Sequence, residues 1–158
     1  MYKKIVVPLD GSELAEHSLP HAVAIAKGSG ATVHLVRVFE MSTLAAGAVP
    51  IADPSLAAAS VSSGVYEQAL EAEHEKCASY LKEVAERIKG DVGDLEYSVQ
   101  QGPVVEILIS LIEKLPADLV VITTKGEGGF KRFVFGSITN DLLHRVEIPV
   151  LVIPNRED

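Results

Sequence analysis

Residues 119–129 read Leu-Val-Val-Ile-Thr-Thr-Lys-Gly-Glu-Gly-Gly, and a Gly-Ser pair follows at 136–137. The first five residues predict a buried strand, because apolar side chains would fill both of its faces. The glycines after it let backbone N–H groups turn towards one point without a Cβ in the way, which suits an anion. A helix is predicted over 137–146 with Ser137 as its cap, and helix N-termini attract phosphate. This order of elements indicates a phosphate site of the kind that nucleotides occupy.

Short apolar runs alternate with longer helical patterns along the rest of the chain. The predicted strands are residues 5–9, 32–39, 95–99, 119–123 and 150–153. The predicted helices are residues 13–27, 65–89, 103–114 and 137–146. Ser12 is the expected cap of the first helix, and Pro20 inside that helix should kink it or remove a hydrogen bond. The alternation predicts an α/β fold, an open doubly wound parallel sheet of five strands with helices on both faces.

The 158-residue chain carries a formal net charge of −8 and a single cysteine, Cys77. Its length fits one hydrophobic core, so we expect a single domain over residues 1–158. The negative charge argues against nucleic acid or an anionic membrane as a partner. No apolar run approaches the roughly 20 residues of a membrane helix. One cysteine excludes an internal disulfide framework and suits the cytoplasm, and its place on an apolar helical stripe predicts that it packs in the core.

Residues 41–64 depart from this pattern, because they are rich in Ala, Ser, Pro and Gly and contain one charged residue, Asp53. The segment is too long for an ordinary connection between a strand and a helix. We predict a flexible insert there. A mobile flap, a loop that contacts a partner and simple disorder are all compatible with its composition.

The predicted turns after four strands open onto one edge of the sheet, where ligands of such folds bind. Asp10 can accept hydrogen bonds from ribose hydroxyls or a base amino group, or it can tighten the turn at the helix entrance. Gly102, just before Pro103, can start a helix, contact a base, or do both. The full set of candidate binding residues is Pro8, Leu9, Asp10, Val38, Gly102, Thr123, Thr124, Lys125, Gly126, Gly129, Gly136, Ser137 and Ile138.

Two segments together carry a family resemblance. Residues 5–12, Ile-Val-Val-Pro-Leu-Asp-Gly-Ser, resemble the opening strand and turn of the universal stress proteins. Gly126, the pair Gly136-Ser137 nine residues further on, and residues 148–154 resemble that family's ATP-binding signature and last strand. The resemblance implies the sheet order 3-2-1-4-5, an adenine nucleotide (ATP, ADP or AMP) as ligand, and a homodimer that pairs through residues 150–153.

The resemblance also implies roles for single residues. By position, Asp10 and Val38 match the family's adenine and ribose contacts, and Gly126, Gly136, Ser137 and Ile138 match its phosphate contacts. A Mg or Mn ion bridging the phosphates is compatible with such a ligand, although no residue is an evident metal ligand. Thr123 stands where the ATP-binding signature has its first glycine, which brings a methyl group and a hydroxyl near the ribose.

The sequence is therefore compatible with two functions. One is an adenine-nucleotide-binding stress-response protein that acts as a sensor or regulator. The other is a dimer of the same fold that has lost nucleotide binding and works through protein–protein contacts. The sequence shows no P-loop, general base or arginine finger, so we expect no catalytic activity beyond, at most, slow ATP hydrolysis.

Overall fold

In a computed structural model, residues 1–41, 63–124 and 136–154 can be described, and they form an α/β fold around one parallel sheet. The strands are β1 (Lys4–Pro8), β2 (Thr32–Phe39), β3 (Leu95–Gln101), β4 (Leu119–Thr123) and β5 (Val150–Ile153). The helices are α1 (Glu13–Glu16), α2 (Leu19–Ser29), α3 (Ser63–Ile88), α4 (Val104–Lys114) and α5 (Ser137–Arg145). Within these ranges, no helix is both long and apolar enough to cross a membrane.

The sheet confirms the predicted strand order. All neighbours are parallel, and the order is β3-β2-β1-β4-β5. Ile5 of β1 lies between Val33 of β2 and Leu119 of β4. From β1 the chain adds β2 and β3 on one side of the sheet, and it then adds β4 and β5 on the other side of β1. The strand order thus reverses between β1 and β4, and the carboxyl ends of these two strands mark the usual ligand position in such sheets.

Apolar side chains cover both faces of the sheet and explain the nearly continuous apolar strands. Successive residues of β1 point to opposite sides, so Ile5 and Val7 belong to one core cluster and Val6 to the other. The first cluster takes helix residues such as Leu81 and Val84 from α3. The second cluster takes Leu108 and Ile112 from α4 and Leu142 from α5. Cys77 is 2% exposed, which confirms its predicted place in the core.

The predicted helix over residues 13–27 is wrong in one respect, because the structure divides it into α1 and α2. Pro20 lies in the first turn of α2, where a missing N–H breaks no intrahelical bond, so it helps to begin a helix and does not kink one. Ser12 caps α1 as predicted, since its Oγ accepts a hydrogen bond of 3.2 Å from the amide of Ala15. Most of the predicted insert, residues 42–62, lies outside the described residues, and Gly64 at its end already belongs to α3.

The turn between β1 and α1 depends on Gly11. Its φ of +86° lies in the left-handed region, and a Cβ there would lie 3.3 Å from Nη1 of Arg37. We expect Gly11→Ala to lower the free energy of unfolding by about 1–2 kcal/mol. Gly28→Ala is the matched control, because Gly28 lies inside α2 with open space around it and should gain about 0.5–1 kcal/mol. Urea unfolding of both variants checks the opposite signs, and equal effects would contradict this interpretation.

His34 on β2 is a buried titratable group, 5% exposed. Desolvation by burial holds its pKa below the usual 6.5, against the raising influence of Glu96. The unfolded chain therefore binds a proton at a pH where the folded chain does not. The contribution of His34 to the free energy of unfolding is fully present above the pKa that His34 has in the unfolded chain. This contribution is lost as the pH falls towards the lower pKa that His34 has in the folded chain.

We accordingly expect the midpoint of thermal unfolding to fall between about pH 7.5 and pH 5.5, and to fall less in a His34→Gln variant. Thermal melts of both proteins at the two pH values measure the difference. A loss that is equally large in both proteins would assign the acid sensitivity to other groups.

Candidate functional site

A cleft of about 360 Å³ lies beyond the carboxyl ends of β1 and β4, at the reversal of the strand order. This volume is within the range of small-molecule sites in proteins. Six elements contribute to its wall: the turn after β1, α1, the end of β2, the first half of α4, the end of β4 and the start of α5. Of the four predicted turns, the described turn after β3 does not line this wall, and the glycine-rich turn after β4 lies largely outside the described residues.

One side of the cleft is apolar. Val36 and Leu108 line it and are essentially buried, and Ile122 is 7% exposed. Val38, a predicted contact, lies beside them at the end of β2 and is partly buried. Sequence reasoning named Val38 but missed the residues from α4, because nothing in the sequence says which face of α4 meets the end of β2. An apolar wall of this kind can pack against the ring of a base.

The beginning of α5 forms another part of the cleft wall. Gly136, Ser137, Ile138 and Thr139 line it, and the first helical hydrogen bond runs from Asn140 N to Gly136 O at 2.9 Å. The amides before Asn140 therefore have no partner within the helix, and the positive end of the helix dipole lies here. This arrangement suits an anion at the mouth of the helix.

The predicted role of Ser137 as helix cap is wrong. The N-cap is Gly136, with φ −58° and ψ 157°, and Ser137 is the first helical residue. A glycine at the cap carries no side-chain oxygen that could satisfy the first amides. Gly136 therefore provides no side-chain cap, and the amides of Ser137 and Ile138, to which the sequence analysis assigned a phosphate role, have no partner within the helix.

Asp10 takes the turn role that its sequence position allowed. Its Oδ1 accepts hydrogen bonds from the amide of Ser12 at 2.9 Å and from Ser12 Oγ at 2.5 Å. Asp10 is exposed and also lines the cleft, together with Pro8 and Leu9 of the same turn. Among the described residues, none donates a hydrogen bond to its Oδ2.

Thr123 lines the cleft and is 8% exposed. Its carbonyl accepts a hydrogen bond of 3.2 Å from Oγ1 of Thr139, which is itself buried. This bond joins the end of β4 to the first turn of α5 and fixes the helix start against the strand. Thr139 was not among the predicted site residues, because its partner belongs to another element 16 residues away in the sequence.

The α1 turn is held from behind by α3. Leu14 and Ala15 line the cleft, while the next residue, Glu16, accepts hydrogen bonds from Tyr80 Oη at 3.1 Å and from Arg87 Nη2 at 2.8 Å. Burial and the neighbouring Glu16 carboxylate raise the pKa of the Tyr80 phenol. The short α1 helix is thus anchored to a long helix, which keeps the wall of the cleft in place.

The remaining predicted residues lie elsewhere or outside the described ranges. Gly102, with φ +134°, donates its amide to Phe39 O at 3.0 Å, and a Cβ there would lie 3.2 Å from Ile107. It forms the turn before α4 and is not among the residues that line the cleft. Thr124 donates its amide to Ile153 O at 3.0 Å and is not part of the lining either. Lys125, Gly126 and Gly129 lie outside the described residues.

The described lining contains few groups that could bind a metal ion. Asp10 is the sole titratable side chain in the described part of the lining. Over the same described ranges, no three His, Cys, Asp or Glu side chains lie close enough to hold a metal ion. The described lining combines apolar side chains, one carboxylate and helix-start amides without a partner inside the helix, groups that can contact an apolar ring, a hydroxyl and an anion.

Comparison with known proteins agrees with this architecture. Residues 1–154 match the sequence model of the Universal stress protein family. Universal stress protein A homolog 1 of Coxiella burnetii is 30% identical over 159 aligned positions, covering 99% of each chain. The solved universal stress protein UspA from Lactobacillus plantarum has a TM-score of 0.75 at 22% identity, over 96% of this chain and 97% of that one.

A second solved structure, a universal stress protein in complex with cAMP, has a TM-score of 0.66 at 20% identity and covers 98% of each chain. At these sequence identities, the two solved structures support the fold alone. The match over residues 1–154, with the strand order and the opening and closing motifs, shows the family that the sequence resemblance indicated. The chain belongs to the universal stress protein family.

Proposed function

We propose that this chain is a stress-response protein that binds an adenine nucleotide in the cleft and acts as a sensor or regulator. The observation that carries the proposal is the meeting of an apolar wall and the open start of α5 in one cleft at the reversal of the strand order. The related universal stress protein in complex with cAMP supports adenine nucleotides as the ligand class.

Each side of the cleft has a part in this proposal. The base packs against Val38 and its apolar neighbours, and the free oxygen of Asp10 accepts from a ribose hydroxyl. The amides at Ser137 and Ile138 receive the phosphate end. A Mg or Mn ion would then be held chiefly by the phosphates and by water, since such ions retain several water ligands and need few protein carboxylates.

We further propose that the nucleotide is bound and not consumed. In the described lining, Asp10 is the one side chain that could serve as a general base, and its Oδ1 already accepts two hydrogen bonds in the turn. A phosphoryl-transfer site needs charges that stabilise the transferred group, and the described lining contains no lysine or arginine. The presence or absence of bound nucleotide then acts as the signal, and a partner protein in the cytoplasm responds to it.

Isothermal titration of nucleotide-free protein with ATP, ADP, AMP and cyclic AMP tests this proposal. We expect one site per chain and an affinity that rises with the number of phosphates. If properly folded protein binds none of the four, the alternative takes its place: a dimer of this fold that works through protein–protein contacts alone. The buried Thr123 at the glycine position of the signature is the observation that favours that alternative.

We also propose that two copies pair through β5, an edge strand of the sheet. The carbonyls of Pro149 and Ile153 accept hydrogen bonds of 3.0 Å from β4 and the residue after it. Alternate residues of a parallel strand bond to the same neighbour. The backbone groups of Val150 and Val152 therefore point to the open edge, where an apolar strand is prone to pair with another chain.

Val152→Pro tests this pairing, because proline removes one outward N–H while the bonds to β4 stay intact. We expect the variant to be monomeric at concentrations where the unmodified protein and Val152→Ala are dimeric. Multi-angle light scattering after size-exclusion chromatography measures the mass. A monomeric unmodified protein at high concentration, or a dimeric proline variant, would contradict pairing through this edge.

A further inference from the structure

A second group of polar side chains lies outside the cleft, on β2 and the edge strand β3. Nδ1 of His34 lies 3.2 Å from Oε2 of Glu96, and Nε2 of the same ring lies 2.9 Å from Oγ of Ser98. Lys4 Nζ lies 2.8 Å from the same Glu96 oxygen. None of these residues lines the cleft, so the group is independent of the proposed nucleotide site.

The register of the sheet brings these side chains together. His34 lies directly opposite Glu96, and Ser98 follows two residues later, on the same face of β3. The imidazole lies between the two and is buried, whereas Ser98 is half-buried on an edge strand. Ser98 is therefore more open to solution than the His34 ring, which is shielded from water.

The charges decide how the protons are arranged. Hydrogen bonds from Lys4 and His34 lower the pKa of Glu96, so its side chain is a carboxylate and can only accept. Nδ1 of His34 must therefore carry the hydrogen that the carboxylate accepts. Burial lowers the pKa of His34, so the ring is neutral at physiological pH and Nε2 has a free lone pair. The Ser98 hydroxyl then donates to Nε2.

We propose that Ser98 is the nucleophile of a second site in this protein, with His34 as general base and Glu96 as the residue that positions it. The substrates are small carboxylic esters and mixed anhydrides with good leaving groups. The order carboxylate, imidazole, hydroxyl, with the ring in this tautomer, is the arrangement that activates serine in acyl transfer on unrelated folds.

The acyl-transfer step is balanced by these residues alone. Ser98 Oγ forms a bond to the carbonyl carbon while its proton moves to His34 Nε2 and an electron pair moves onto the carbonyl oxygen. Gln100, the next residue on this face of β3, carries the side-chain amide that we assign as donor to that oxygen. The intermediate then collapses, the leaving group takes the proton from His34, and an ester on Ser98 remains. Water, activated in the same way, hydrolyses that ester to the free acid.

The test uses the full chain and 4-nitrophenyl acetate. We expect release of 4-nitrophenolate with a burst of up to one equivalent, and an acetyl group on the peptide that contains Ser98 by mass spectrometry. Ser98→Ala should lose this adduct completely. His34→Gln should lower the rate of acetylation by about 100-fold or more. Ser110→Ala, which removes a half-buried serine on α4, is the matched control and should react like the unmodified protein.

Glu96→Gln separates positioning from a merely structural effect. Since the Glu96 carboxylate raises the pKa of His34, its loss should lower the rate and also move the midpoint of the pH–rate profile to lower pH. Far-UV circular dichroism checks that each variant is folded. Acetylation confined to lysines or the N-terminus, or an adduct at Ser98 that forms as fast in folded Glu96→Gln and His34→Gln, would overturn the proposal.

Discussion

Val38→Trp is expected to abolish detectable binding of adenine nucleotides. Val38 lies at the end of β2 on the apolar side of the cleft and is only partly buried. An indole at this position would occupy the space that we assign to the base. A base that buries on the order of 100 Å² of apolar surface gains about 2.5–3 kcal/mol there, so losing this contact alone weakens binding by about 100-fold.

Leu143→Trp is the matched control for this variant. Leu143 lies on α5, is 38% exposed and is not part of the cleft lining. Calorimetric titration of both variants with ATP and AMP measures the effect, and thermal melts show whether either change disturbs the fold. Unchanged affinity in a folded Val38→Trp protein would place the base elsewhere.

Ser137→Pro is expected to lower the affinity for ATP by about tenfold to a hundredfold, because it removes one amide donor to a charged group, worth about 1.5–3 kcal/mol. Proline is favoured at the first position of a helix, so α5 itself should persist. Gly136 before it has φ −58° and ψ 157°, an extended conformation that a following proline accepts. The variant thus removes the donor and keeps the geometry.

Two comparisons make this experiment specific. Ser137→Ala removes the hydroxyl but keeps the amide, so its affinity for ATP should change by less than about threefold. Adenosine has no phosphate, so its affinity should be the same for Ser137→Pro and the unmodified protein. If the alanine variant loses as much affinity as the proline variant, the hydroxyl and not the backbone holds the phosphate.

The strands could be predicted because each is an apolar run in the local sequence. Their order could be predicted because the chain resembles a family whose sheet order is known. Apolar runs such as residues 119–123 coincide with β4 itself, and the resemblance supplied the sheet order. The division of the first helix could not be read in the same way. A proline at position 20 fits both a kinked helix and the first turn of a new one, and in the structure α1 ends at Glu16, the residue whose carbonyl Pro20 cannot bond.

The candidate site shows the same limit. Asp10, Val38, Ser137 and Ile138 were predicted from turns and from the family signature, and they do line the cleft. Leu108 and Thr139 were missed because their roles depend on which helix face meets the sheet. The contacts of His34 with Glu96 and Ser98 depend on the register between β2 and β3. These residues are 62 and 64 positions from His34 in the sequence. Such cross-strand groupings have no signature in a single chain.

The most direct measurement of the central claim is the change in backbone amide signals by NMR when ATP is added to nucleotide-free protein. We expect the amides of residues 137–139 to shift first and furthest, together with those of Asp10 and Val38. Adenosine should shift the amides of Asp10 and Val38 but leave those at the start of α5 almost unchanged. Saturating ATP that leaves the amides of residues 137–139 unmoved, while other parts of the protein respond, would contradict this claim.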